Sequence, residues 1–340
     1  MEKEHPSRIW WIIKPRAGSR GKRVFLLRNG IPEKALPLEI SMDGQGLEIS
    51  SGNSRVLRYQ YNPMPPPEGA DSLYTRSGFI HPIWSPRGRV LTRIHPPDHI
   101  HHMGFWTPWT RTEFQGRSVD FWNLGDGTGT VRFVRFTSKE SGPVFARFQA
   151  VHEHVDLTAP GGETVVLDEV WDVWVWNTGK AEQRRWIWDF LTSQACAGKE
   201  PLKLLKYRYG GFGFRGSAEW NEKNSDYLTS GRKTRKNGNG TRARWCRVFG
   251  RFRQGQAGIA FLSHPENHQH PEPLRIWPSG DVFFGFCPVV NEEWILESGQ
   301  DYVRRYRVLV YDGKMGVDDI ENYWRMFARS PKIDIEMISP

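Results

Sequence analysis

Run after run of this chain alternates apolar and polar residues with a period of two, and turn formers separate the runs. Val144, Ala146, Phe148 and Ala150 fall on one side of an extended backbone, with Arg147, Gln149 and Glu153 on the other. Similar runs cover 23–27, 46–49, 56–61, 130–136, 144–155, 164–176, 185–191, 243–252, 257–262 and 302–311. Pro160-Gly161-Gly162, Asn177-Thr178-Gly179 and Asp312-Gly313 punctuate them. One helix is expected, at about 318–328. There Ile320, Tyr323, Trp324 and Phe327 form an i, i+3, i+4, i+7 face, and Pro331 follows its end. The pattern predicts an all-β chain: one large antiparallel β-sandwich domain over 1–340 with a C-terminal helix. The strands are too many for a small immunoglobulin-like sandwich, so two large twisted sheets, a supersandwich, are expected.

Composition agrees. The 340 residues include 16 Trp, 34 Gly and 23 Pro, and aromatics make up 13%. Aromatics favour strands, and Gly and Pro favour the turns between them. No apolar run approaches the roughly 20 residues of a spanning helix, and MEKEHPSRIWWIIKPR has no secretory core. A cytoplasmic protein with no membrane partner is expected. Cys196, Cys246 and Cys287 form no CxxC, so they read as reduced, buried thiols.

Net charge is +9, and nine basic residues lie between Arg232 and Arg253. No Asp or Glu occurs between Asp226 and Glu266. The 232–253 segment could serve nucleic acid, but no recognition motif accompanies it. GRKTRKNGNGTRARW carries Asn-Gly twice, which reads better as a solvated hairpin.

Chemistry concentrates in IHPPDHIHHMGFW, which holds His95, His99, His101 and His102 in eight residues. Imidazoles titrate near neutral pH and serve as acid, base or metal ligand. If 99–102 is extended, His99 and His101 share one face and His102 takes the other. That would suit a His-x-His metal pair or an acid/base beside a donor. Asp98 could orient a ring through its Nδ1–H. The cofactor is left open: none is obligatory, and a divalent metal would use His99 and His101.

The segments at 79–84 and 86–88, DHIHHMGFW at 98–106 and DFW at 120–122 resemble the soluble bacterial PmoA family. Tyr209–Arg215 (YGGFGFR), Trp245, Gly250, the HPEN at 264–267 and the strand ending at Asp312-Gly313 extend the resemblance over about 70–315. No spanning segment is present, so the family name cannot denote a membrane copper enzyme here. The resemblance implies a galactose-mutarotase-like supersandwich whose relatives act on carbohydrates, a fold-level analogy.

Other groups could complete a site. Trp106 and Trp122 could stack on a sugar ring, with Asp120 beside them. YGGFGFR lacks the P-loop pattern; its glycines suggest close backbone approach, Tyr209 flanks it, and Arg215 could grip a carboxylate or vicinal hydroxyls. His264 and Asn267 are further pocket candidates. Glu169, Asp172 and Asp189 lie on Trp-rich strands, where a carboxylate is paired or raised in pKa. His152 and His154 repeat the i, i+2 spacing outside the resembling motif and rank lower. No GxSxG occurs, and Cys196 lacks an activating context.

The leading expectation is a carbohydrate-active enzyme with His-centred acid/base chemistry. His99, His101 or His102 would move a proton, with Asp189 or Glu169 as partner. Epimerase, lyase and hydrolase remain open. The alternatives are a metal-dependent enzyme and a non-catalytic carbohydrate-binding protein. Oligomeric state is left open.

Overall fold

The computed structural model describes residues 36–178 and 185–329. The expected strand at 23–27 and Pro331 lie outside them. Two antiparallel sheets face each other. The first runs, in spatial order, Leu38–Met42, Gly46–Ser51, Ser54–Gln60, Phe79–Ile83, Phe105–Trp106, Gly213–Arg215, Phe283–Phe286, Glu272–Ile276 and Arg242–Ala243. The second runs Ser225–Thr229, Trp245–Arg251, Gln256–Ser263, Tyr302–Asp312, Arg185–Cys196, Thr164–Trp176, Phe145–Asp156 and Gly129–Ser141. A small sheet of Trp294–Leu296, Leu202–Leu204, Thr112–Phe114 and Arg117–Val119 packs its own apolar cluster beside them.

The alternation seen in sequence decides which face is buried. Phe148, Trp171, Val173 and Phe190 of the second sheet meet Leu57, Tyr59, Ile80, Phe105 and Phe214 of the first. Toward one end, the inner face of the second sheet turns polar. His152, Glu169 and Gln194 align across three strands, and Thr192 aligns with Arg304. All five are buried.

The helix Val317–Ala328 covers the opposite face of the second sheet. Its Ile320 is buried, and Tyr323, Trp324 and Phe327 pack against Ile187, Leu262 and Leu309. The 243–252 run divides: Arg242–Ala243 pairs with Glu272 and Pro273 of the first sheet, and Trp245–Arg251 joins the second. No helix among the described residues is long and apolar enough to cross a membrane. The three cysteines are free thiols, Cys246 and Cys287 buried and Cys196 partly so.

Candidate functional site

The histidine loop is an excursion closed at its base. Ile94 bridges to Met103, and the His95 N–H donates to the His102 carbonyl (3.0 Å). Inside it, the His99 N–H donates to Pro96 O (3.0 Å) and the His102 N–H to His99 O (2.9 Å). The loop is therefore two successive turns, begun by a proline pair that cannot join a ladder. It is not extended. The expected separation of His102 from the His99/His101 pair fails for that reason: the turns stack His99 on His102, centroids 4.8 Å apart and planes 25° apart, and His101 stays edge-on to both, 5.7 Å from His99.

Arg215 anchors the loop from behind. Its strand is fixed by the Arg215 N–H on Gly104 O (2.7 Å), and its side chain is fully buried. One nitrogen, Nη2, donates to Asp98 Oδ1 (2.7 Å), Asp98 Oδ2 (2.8 Å) and Asp281 Oδ2 (2.8 Å). Arg93 Nη1 donates to the same Asp281 oxygen, Oδ2, at 3.0 Å. The guanidinium lies 4.7 Å from the Trp277 ring centroid, and His99 packs on the same indole at 4.7 Å. Arg215 thus grips the protein's own carboxylates.

Burial dominates the loop's electrostatics. It pulls His101 down to about 4, with His99 and Arg76 adding to the fall and Asp120 and Asp98 opposing it. His102, packed against Trp106 and Phe283, is held well below the usual histidine range by burial and by the His101, Arg215 and His99 charges. Both imidazoles are neutral at pH 7. Burial also works against ionised Asp98, but the Arg215 hydrogen bonds and charge, helped by His99, outweigh it and leave its carboxyl below the ordinary value. Tyr209 is raised to about 12 by burial, despite a hydrogen bond with Asn123 at 3.2 Å. It therefore keeps its phenolic proton.

Several expected site residues have other work. Trp106 and Trp122 are buried and packed on each other at 4.7 Å, so neither ring face meets solvent. Asp120 accepts from Trp122 N, Asn123 N, Thr110 and the Asn123 amide, and so braces the DFW turn. Glu169 and Asp189, each an expected partner for a loop histidine, lie on opposite faces of one sheet and are bound to other groups. Asp189 forms a bidentate bridge to Arg307 (2.7 and 2.8 Å) beside Trp176, on the helix-covered face. Asp172 is gripped likewise by Arg147.

Glu169 lies in the interior. It is bound by His154 (2.8 Å), Thr107 (3.2 Å) and Thr192. These bonds outweigh burial and hold its carboxyl down at about 2. Asn267 is buried among Ser263, Glu272 and the Arg305 backbone, while His264 meets Phe327 edge-on at 5.1 Å. Neither contacts the histidine loop.

The glycines of YGGFGFR are used for close approach. A Cβ on Gly211 (φ +87°) would meet Trp109 at 2.4 Å, and one on Gly213 would meet Trp122 at 2.6 Å. No three His, Cys, Asp or Glu side chains gather to hold a metal ion among the described residues, so His99 and His101 find no third ligand. The basic segment makes internal bonds. Arg244 pairs with Glu321, Arg247 donates to Met315 O, and Arg242 donates to Gln269 O (2.8 Å). Buried Arg235 reaches the histidine site, donating to Trp277 O (3.1 Å) and Ser225 (2.8 Å).

Trp277 and Asp281 escaped the sequence reading. They flank a Pro-Ser-Gly turn between two short strands, and only the chain's path sets them beside Arg215. A lone tryptophan at a turn was the one available signal.

The chain is thus an antiparallel β-sandwich with a latched, histidine-rich loop. Residues 46–325 match the model of a family of unknown function, DUF6807, and the chain belongs to that family. No curated protein matches it. Among solved structures it is similar to heparan sulfate lyase HepC from Pedobacter heparinus, at 10% identity and a TM-score of 0.38, covering 80% of this chain and 34% of the lyase. It is similar to GH36 α-galactosidase AgaA from Geobacillus stearothermophilus, at 10% identity and 0.40, covering 81% and 41%. A galactose mutarotase-like protein from Lactobacillus casei ATCC 334 aligns at 7% identity and 0.37, covering 81% and 100%. The chain spans about a third of the lyase's length.

Proposed function

We propose that this chain is a carbohydrate-active enzyme whose 95–102 loop supplies imidazoles for proton transfer on a sugar held beside Trp277. One observation carries the reading. His99 and His101 are partly exposed and adjoin a partly exposed indole and two partly exposed carboxylates that share one buried guanidinium. Carboxylate edges accept sugar hydroxyls, and an indole face receives the C–H face of a pyranose. His101 is neutral at pH 7 and makes no hydrogen bond within the described residues, so its lone pair is free to take a proton. The PmoA resemblance of DHIHHMGFW and DFW belongs to this reading. Epimerisation and elimination both use such a base.

The test is a screen of neutral and acidic mono- and oligosaccharides for binding and turnover, with His99→Ala and His101→Ala beside the wild type. We expect at least one His variant to lose about 100-fold or more in kcat, the span of general acid–base catalysis, with binding retained. Binding without turnover by the wild type would make the chain a carbohydrate-binding protein. No binding of any sugar would overturn the carbohydrate reading.

A further inference from the structure

The loop holds four imidazoles, and two have a partner that decides where the proton sits: His95 Nδ1 faces the Ile100 carbonyl at 2.9 Å, and His99 Nδ1 faces a carboxylate. Asp98 Oδ2 lies 3.1 Å from His99 Nδ1 and 2.8 Å from Arg215 Nη2. A carboxylate held ionised by a guanidinium can only accept, so the nitrogen facing it must carry the hydrogen. The ring itself is fixed by His102, stacked at 4.8 Å, and by Trp277 at 4.7 Å.

The Arg215 post has the marks of a fixed part. Its side chain is fully buried, Nη2 serves both Asp98 and Asp281, and Nε and Nη1 have no partner. Arg93 shares Asp281 Oδ2 with Arg215 and completes the array. Two guanidinium and two carboxylate charges balance, so a positive charge arriving on His99 would meet Asp98 directly.

We propose that Arg215 and Asp98 form a positioning relay that sets His99 as the Nδ1–H tautomer and presents its Nε2 lone pair to the substrate. This rests on the proposed proton-transfer function and names the residue and atom that perform it. Nε2 takes a proton from a substrate C–H or O–H, Nδ1–H stays bonded to Asp98, and that charge-assisted bond stabilises the imidazolium, whose counter-charge is the substrate anion just formed. The same proton then returns to the substrate from Nε2, so no other reagent is consumed. Asp98 and Arg215 touch no reacting atom and act through His99. His101 and His102 make no such bond to a carboxylate. The same architecture explains a buried arginine aimed at two partly exposed acids: its task is to hold them still.

The experiment reads the tautomer, which needs no substrate. The full chain, 15N-labelled at histidine, is examined by long-range 1H–15N correlation at pH 7.5, with His99→Gln identifying the His99 signals. The expected wild-type pattern is Nδ1–H. Asp98→Asn presents an amide that can donate to Nδ1, so His99 should shift to the Nε2–H form. Arg215→Lys should give a mixture of forms; if it fails to fold, Asp98→Asn, on the loop surface, still decides. An Nε2–H pattern in the wild type, or no change in Asp98→Asn, overturns the relay. Where a sugar is turned over, Asp98→Asn should lower kcat about 10- to 100-fold, the cost of losing a carboxylate that orients a histidine, beyond any change in KM from its contact with sugar hydroxyls. A wild type that turns over no sugar would remove the proposed function while leaving the tautomer result to judge the relay.

Discussion

Two histidine pairs in this molecule have the same i, i+2 spacing and opposite fates. His152 and His154 lie on the regular strand Phe145–Asp156, which sends both side chains inward. There each finds a fixed partner: Tyr59 at 2.5 Å for His152, and Glu169 at 2.8 Å for His154. His99 and His101 lie on consecutive turns, which stack His99 on His102 and leave His101 edge-on to both. The strand pair is fully buried, and the loop pair keeps access to solvent. Spacing alone therefore says nothing about function. The backbone that carries the pair decides which ring faces what, and burial decides whether a nitrogen is left for a substrate.

The sharpest way to break this contrast is to remove one member from each region. Glu169→Ala leaves the buried donors of His154, Thr107 and Thr192 without their acceptor, and each unsatisfied group costs about 1–3 kcal/mol. His99→Ala truncates a partly exposed loop ring and should cost about 1 kcal/mol or less. Urea unfolding midpoints of the two variants test this. Equal losses would mean that the loop is as structural as the interior pair.

Acid sharpens the comparison next. His152 sits at about 4 because burial disfavours its charge, against an ordinary 6.5. Between those values the unfolded chain binds a proton that the folded chain refuses. Stability from this group is complete above pH 6.5 and falls toward pH 4, with a slope of up to about 1.4 kcal/mol per pH unit. His101, His81 and His270, each at about 4, add to the same window. The regions part below about pH 4.5. There Glu169, held at about 2, begins to lose its contribution, and that loss continues down to its folded value. Unfolding measured at pH 7.5, 5.5 and 4 should show a steady decline, and a flat profile would contradict the buried neutral histidines.

Much of this architecture could be read in advance, and the reasons are local. Thr164–Trp176 has the bounds its alternation gives, because every second residue must be apolar where one face is buried. The 144–155 run is correct for the same reason, although its inward face changes from Ala150 to His152 without any break in the strand. The site was half legible. Four histidines in eight residues, and an aspartate among them, mark the loop in any conformation. The choice of carboxylate partners was not legible. Glu169 and Asp189 sit in equally Trp-rich surroundings, and only their register against Trp171 and Phe190 puts them on opposite faces. Trp277 and Asp281 come from a turn remote in sequence, where no periodicity operates. The extended reading of 99–102 failed because hydrogen bonds within the loop, started by Pro96, outweigh the period-two geometry of a strand.

A last comparison, whose Trp277 arm carries the smallest expected effect, separates two tryptophans in one aromatic cluster. Trp106 and Trp277 both pack around His102 and Phe283. Trp106 is fully buried, and its neighbour Gly213 leaves no room even for a Cβ. Trp106→Ala should cost about 3–5 kcal/mol as a core truncation. Trp277 is only partly buried, so Trp277→Ala should cost far less in stability. Its loss should appear in sugar affinity, weakened about 10-fold, the scale of one aromatic contact. Unfolding and sugar titration on both variants would compare them directly. If Trp277→Ala leaves affinity unchanged, that indole serves only to support His99, and its place in the proposed sugar site is lost.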